Sequence, residues 1–185
     1  MLKEGKLSVR PIITIRKATE SDLDSIEKLY NEVCSYLEVH KNFPGWKKGI
    51  YPVRDDAEKG LKEEALFIAQ IDGKTAGTFI LRHEPEDGYK NVNWMTENDY
   101  ARIYVIYTLA VHPNFLNHGV GMEMLMFAER LAREEQCISI RLDVVKGNVP
   151  ADQLYKKCGY EFRGTVSLGY EAYGLPWYNL YEKVL

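Results

Sequence analysis

Cysteine is scarce in this 185-residue chain: Cys34, Cys137 and Cys158 are the only three. Their odd number and wide spacing exclude a disulfide scaffold and offer no zinc-ligand pattern. The four histidines, His40, His83, His112 and His118, also lack metal-ligand spacing, so no metal is expected. No apolar run is long enough to cross a membrane. The N-terminus has no apolar segment with a cleavage site, so a cytoplasmic location is expected. Charge of one sign is not in excess: 24 Lys and Arg against 27 Asp and Glu leave a net charge of −3. No basic cluster interleaved with aromatics marks a nucleic-acid partner. Mild acidity is compatible with a cationic substrate. No repeat and no linker divides the sequence, so one domain over residues 1–185 is expected.

What is present is a mixture of strand and helix signals. Residues 12–16 are short and β-branched, as a first strand requires. Thr19 and Asp22 then resemble a capping box before Leu23, Ile26, Tyr30, Val33 and Leu37, which recur at helical spacing. A second, mostly exposed helix is predicted over residues 55–64. Asp72-Gly73 between two apolar runs, 65–71 and 74–81, predicts a tight hairpin. Residues 84–99 form a long polar stretch with several carboxylates, either a functional loop or a solvated surface. Residues 103–111 are nearly all apolar, as in a central strand covered on both faces. A helix over 120–134, a strand over 138–144, a short helix over 150–157 and two last strands, 160–166 and 177–184, complete the reading. The fold class is α/β (α+β).

The most informative stretch joins the central strand to the 120–134 helix. Asn117, His118, Gly119, Val120, Gly121 and Met122 form a glycine-bearing turn at the mouth of an amphipathic helix. Such a turn aims backbone N–H groups and the positive helix end at one point, which suits a pyrophosphate. Glycine pairs at helix starts also serve capping and tight packing. No Lys-Ser or Lys-Thr follows, which excludes a nucleotide-triphosphate loop. Met124 stands where a dinucleotide-binding turn carries its third glycine.

The turn resembles the signature of the GCN5-related N-acetyltransferase (GNAT) family: Arg or Gln, two residues, Gly, one residue, then Gly or Ala. Gly119 and Gly121 match, Leu109-Ala-Val-His-Pro113 resembles the preceding strand end, and Leu116 departs at the Arg/Gln position. Asn148, Ala151, Tyr155 and Gly159-Tyr160 resemble the family's second element, in the right order and spacing. The likeness spans about residues 12–166. It implies a mixed, splayed central β-sheet flanked by helices. It also implies transfer of an acetyl group from acetyl-CoA to an amine by direct attack.

On that resemblance the turn from Asn117 to Met122 cradles the pyrophosphate, the main chain of Leu109, Ala110 and Val111 meets the pantetheine arm, and Asn148 bonds to that arm or caps a helix. Tyr155 protonates the leaving thiolate or packs beneath the sheet. The general base is less legible, because residues 103–111 contain no carboxylate. His83, Glu97 and Tyr107 are the candidates, beside proton loss through water. Tyr104 and Tyr107 should face opposite sides of the sheet. Trp46, Trp94 and the aromatic stretch of Tyr170, Tyr173, Trp177 and Tyr178 line an acceptor cleft or cover the core. Cys158 is expected to be structural. The expected acceptor is a small-molecule primary amine. A protein N-terminus or lysine is one alternative, and a CoA-binding sensor without turnover is another. A homodimer is a family-level expectation only.

Overall fold

A computed structural model describes residues 11–185, so the stretch read above for a leader lies mostly outside the described residues. The chain runs β1 (Ile13–Lys17), α1 (Leu23–Val39), α2 (Arg54–Lys62), β2 (Leu66–Ile71), β3 (Lys74–Arg82), β4 (Ile103–Val111), α3 (Val120–Glu134), β5 (Ser139–Val145), α4 (Val149–Lys157), β6 (Glu161–Val166) and β7 (Tyr178–Val184). The seven strands form one sheet in the order β1-β2-β3-β4-β5-β7-β6. Only β4 and β5 are parallel; every other neighbouring pair is antiparallel.

Sequence chemistry accounts for the elements. Asp22 closes the capping box at the first helical turn: Thr19 N–H and Oγ1 donate to its carboxylate at 2.8 and 2.9 Å. Arg16 adds a two-pronged contact at 2.7 and 2.8 Å. These bonds, the Arg16 contact foremost, hold the Asp22 carboxyl at about 2, well below the usual range. Asp72 and Gly73 both have positive φ, the geometry of the tight hairpin turn expected between β2 and β3. Pro150 sits in the first turn of α4, where its missing N–H costs nothing.

Alternation along the strands sorts two faces. Phe67, Phe79, Ile106 and Leu142 pack with Met124, Leu125 and Ala128 of α3 and Tyr155 of α4. Leu66, Ile68 and Ile80 pack with Ile26, Leu29 and Tyr30 of α1 on the other face. Tyr104 belongs to the α3 side and Tyr107 to the α1 side, as their spacing requires. α2 is less exposed than its polar sequence suggests, because Ala57 and Gly60 are buried against the sheet.

Residues 84–102 are not a free polar loop. They make two short 3-10 turns, Asp87–Asn91 and Tyr100–Arg102, and fold back onto β5. The anchor is Arg141, fully buried in an ion pair with fully buried Glu182 (Nε to Oε1, 3.0 Å). Arg141 also donates to Asn98 Oδ1 and Tyr100 Oη at 2.8 Å, and to the Thr96 carbonyl at 3.1 Å. Its guanidinium lies 4.2 Å from the centre of the Trp94 ring. Among the described residues no helix is long and apolar enough to cross a membrane. The three cysteines are free.

Candidate active site

β4 and β5 separate part-way along their length. Their register runs from Ile103 opposite Ser139 to Ile106 opposite Leu142 and stops there, although both strands continue. Just past that point β4 carries a bulge, with its pairing to β3 shifted between Thr78 and Ile80. Thr108 takes φ 49°, a left-handed conformation that is unfavourable for a β-branched residue. Its hydroxyl shares a 2.6 Å hydrogen bond with the Tyr51 hydroxyl. The β5-facing edge of β4 from Tyr107 to Val111 is therefore without a strand partner, and its main-chain groups open into the gap.

A cavity of about 720 Å³ passes through this gap. On the α3/α4 side its wall includes Leu109, Val111, Val144, Asn148, Leu154 and Tyr155. On the α1 side it includes Trp46, Tyr51, Glu86, Tyr107, Asp143, Tyr170 and Tyr178. The sheet thus has a passage joining its two faces, with backbone at its waist.

The glycine turn adjoins the cavity on its α3 side, where Gly121 meets the lining residues Leu154, Val111 and Leu109. Asn117 and Gly119 have φ of 64° and 85°. Gly119 is the N-cap of α3 in that left-handed conformation, which glycine adopts without steric cost. The first bond of the helix runs from Glu123 N–H to the Gly119 carbonyl at 3.0 Å. Val120, Gly121 and Met122 therefore present N–H groups with no intrahelical partner. A methyl group on Gly121 would come within 3.0 Å of Leu154, so α3 and α4 approach closely here. These features fit an anionic diphosphate at the helix mouth and a slender arm running into the gap. His118 Nδ1 turns to the Leu116 carbonyl at 2.9 Å. Leu116 itself is exposed. His112 shapes the turn, contacting Glu32 of α1 through Nε2 and accepting from Asn114 N–H at Nδ1.

The chain belongs to the GNAT acetyltransferase family. The family model, described as Acetyltransferase (GNAT) family, matches residues 26–160. The chain is 27% identical to the uncharacterized N-acetyltransferase YesJ of Bacillus subtilis over 160 residues, 84% of this chain and 86% of that protein. It is 29% identical to a streptothricin acetyltransferase of Escherichia coli over 138 residues, 71% of each chain. The fold matches the crystal structure of a GNAT-family acetyltransferase from Streptococcus agalactiae with a TM-score of 0.77 at 21% identity, covering 94% of this chain and 95% of that one.

The residues singled out from this GNAT sequence separate into three groups, of which Asn117 to Met122 form the turn just described and do not themselves line the cavity. Tyr107, Leu109, Ala110, Val111, Asn148 and Tyr155 all line the cavity. Asn148 also caps α4, its Oδ1 accepting from Ala151 N–H at 3.4 Å. Tyr155 is buried beside the Tyr160 and Tyr181 rings, and burial pushes its hydroxyl well above the usual phenol range. Tyr107 donates to the Glu84 carbonyl at 2.7 Å. His83 and Glu97 are not brought to the cavity. His83 is stacked on Tyr104 and its Nδ1 meets the Ile103 carbonyl at 2.8 Å. Glu97 belongs to the segment held by Arg141, to which its carbonyl accepts at 3.4 Å. Trp94 covers Arg141, whereas Trp46, Tyr170, Tyr173 and Tyr178 reach the cavity.

Sequence reasoning overlooked Asp143. It lies opposite Leu180 across β5 and β7, on the face away from α3. It lines the cavity just where β5 leaves β4. Burial raises its carboxyl to about 7, opposed by a hydrogen bond from Tyr89 and assisted by the charge of Glu86. A carboxyl poised near neutrality in a cleft is suited to taking and releasing a proton. A signal did exist: with Ile140, Leu142 and Val144 in the core, Arg141 and Asp143 are successive charged residues on the opposite face of a central strand.

Proposed function

We propose that this GNAT protein moves an acetyl group from acetyl-CoA to a primary amine of a small molecule. The observation that carries this reading is the passage through the sheet, with a glycine turn of unpaired helix N–H groups adjoining its α3 side and a carboxyl raised towards neutrality in its α1-side wall. Acetyl-CoA supplies the acetyl group as a thioester. The N–H groups of Gly119 to Met122, with the Asn117–His118 backbone before them, hold its diphosphate. The open edge of β4 from Leu109 to Val111 and the Asn148 side chain receive the pantetheine arm.

The acceptor enters from the α1 side as an ammonium ion, whose pKa of about 10 blocks attack. Asp143 takes one proton from it. The freed nitrogen lone pair forms the new C–N bond at the thioester carbonyl, while the main chain of β4 donates to the oxygen that gains negative charge. As the C–S bond breaks, the Tyr155 hydroxyl gives its proton to the departing sulfur, and the second proton of the attacking nitrogen passes through water to restore the phenol. The products are the acetamide and CoA.

A small acceptor is favoured by the roof of the α1-side chamber. A methyl group on Gly45 would come within 2.4 Å of the Leu175 side chain. The segments around Gly45 and Leu175 therefore meet across the chamber, and a polypeptide would have to part them. The Trp46, Tyr51, Tyr170 and Tyr178 rings with Glu86 and Asp143 suit a cationic amine with an apolar body.

The test is thiol release from acetyl-CoA across a panel of small amines and of peptides with free N-termini or lysines. The proposal expects turnover with at least one small amine and loss of about 100-fold or more in Asp143→Asn. Turnover with peptides alone would contradict the small-molecule reading. Tight acetyl-CoA binding with no turnover on any amine would favour a sensor instead.

A further inference from the structure

Asp143 does not stand alone. Tyr89 is fully buried, and its hydroxyl donates to Asp143 Oδ2 at 2.8 Å. Among the described residues Oδ1 has no protein hydrogen-bond partner, and Asp143 belongs to the cavity wall. One oxygen is thus tied and the other left for the acceptor. Tyr89 is itself braced. Trp94 Nε1 donates to its carbonyl at 2.8 Å, the two rings lie 5.3 Å apart, and Trp94 is backed by Arg141. Its N–H donates to the Glu86 carbonyl at 2.9 Å, closing the short turn that carries both residues.

We propose that Tyr89 is a positioning residue for the proton acceptor of this site. It fixes the rotamer of Asp143, and it sets the pH at which the carboxylate becomes available. The inference rests on Asp143 acting as the base. The titratable groups whose charge bears on Asp143 are Glu86 before the 87–91 turn, Tyr107 from β4, Tyr155 from α4, Tyr178 from β7, Tyr170 from the β6–β7 connection and Tyr51 from the α1–α2 connection. Arg82 lies behind the Tyr107 ring and pairs with Glu63. Glu86 and burial both favour the protonated carboxyl, and the Tyr89 hydroxyl opposes them by bonding to the ionised form. Removing it must move proton release to higher pH.

The experiment is the pH profile of kcat/KM for amine acetylation in the wild type, Tyr89→Phe and Asp143→Asn, with acetyl-CoA binding measured alongside. A hydrogen bond to a charged group is worth enough to move the acid limb by about one pH unit. Tyr89→Phe should therefore lose about ten-fold near pH 6.5 and come within about two-fold of wild type near pH 9, with acetyl-CoA affinity unchanged. A loss equal at every pH, or an unmoved limb, would overturn the proposal while leaving Asp143 as the base. Wild-type turnover in Asp143→Asn would overturn both. Should Tyr89→Phe not fold, Trp94→Phe decides. It keeps Tyr89 and Asp143 while removing the indole N–H and shrinking the ring that backs Tyr89, so its limb should move in the same direction by less. A limb identical to wild type would then overturn the proposal.

Discussion

Replacing Arg141 by methionine should be the most damaging single change outside the cavity. Arg141 and Glu182 are both at zero exposure, and their ion pair ties β5 and β7 to the 84–102 segment. Burial favours the neutral Glu182 carboxyl, but hydrogen bonds from Thr96 and the Met95 amide, with Arg141, hold it below its ordinary range. Methionine fills much of the same volume but leaves a buried carboxylate without its cation. Breaking one side of a buried pair costs about 3–5 kcal/mol. The Trp94 ring also loses its cation, and Asn98, Tyr100 and the Thr96 carbonyl lose their donor. Urea unfolding at pH 7 measures the loss. Arg141→Met with Glu182→Leu should recover part of it, because apolar replacement removes the unpaired charge while the Met95 amide, Thr96, Asn98 and Tyr100 still lack their partners. A single-variant cost below about 1 kcal/mol, or no recovery in the double variant, would refute this reasoning.

Three further outcomes are expected. Asp143→Asn should be more stable than the wild type at pH 8 by about 1–3 kcal/mol, an advantage that shrinks towards pH 4. The sign follows from a folded pKa above the unfolded one: the stabilising contribution is present below about pH 4 and is lost as pH rises through about 7. Equal pH dependence in denaturant titrations of both proteins would contradict it. Gly119→Pro should abolish saturable acetyl-CoA binding by calorimetry, because proline is fixed near φ −65° and this position needs 85°. Unchanged affinity in a folded variant would remove the turn from the cofactor site. Tyr155→Phe should lower kcat by about ten-fold or more while changing acetyl-CoA affinity by less than about three-fold, read by steady-state kinetics and titration. Equal kcat would remove Tyr155 from the acid role.

Much of the fold was legible because its signals are local. The Asp72-Gly73 turn, the Thr19–Asp22 box, the alternation of Ile140, Leu142 and Val144, and the Gly119–Gly121 turn each declare themselves within a few residues. So do Asn148 and Tyr155, whose places follow from one short helix. The proton acceptor proposed above was hidden for a geometric reason. Searching the central strand for a carboxylate assumes that strand alone faces the reaction. The gap opens between two strands, and Asp143 is on the partner, a pairing no local pattern reveals. The 84–102 segment was illegible for the same reason. Its composition reads as solvent-facing, yet Arg141 gathers it from some 40 residues away. His83 and Glu97 looked close to the chemistry because they flank β4 in sequence. One is spent on the Ile103 carbonyl and the other rides on the Arg141 anchor.

The proposed function requires a thioester cofactor threaded through the sheet, its diphosphate at one mouth and its acyl end at the waist. A crystal structure with CoA bound tests it most directly. Diphosphate oxygens should lie within hydrogen-bonding distance of the N–H groups from Gly119 to Met122, and the sulfur between the open edge of β4 and the Tyr155 hydroxyl. CoA seated elsewhere, or a diphosphate clear of that turn, would contradict it.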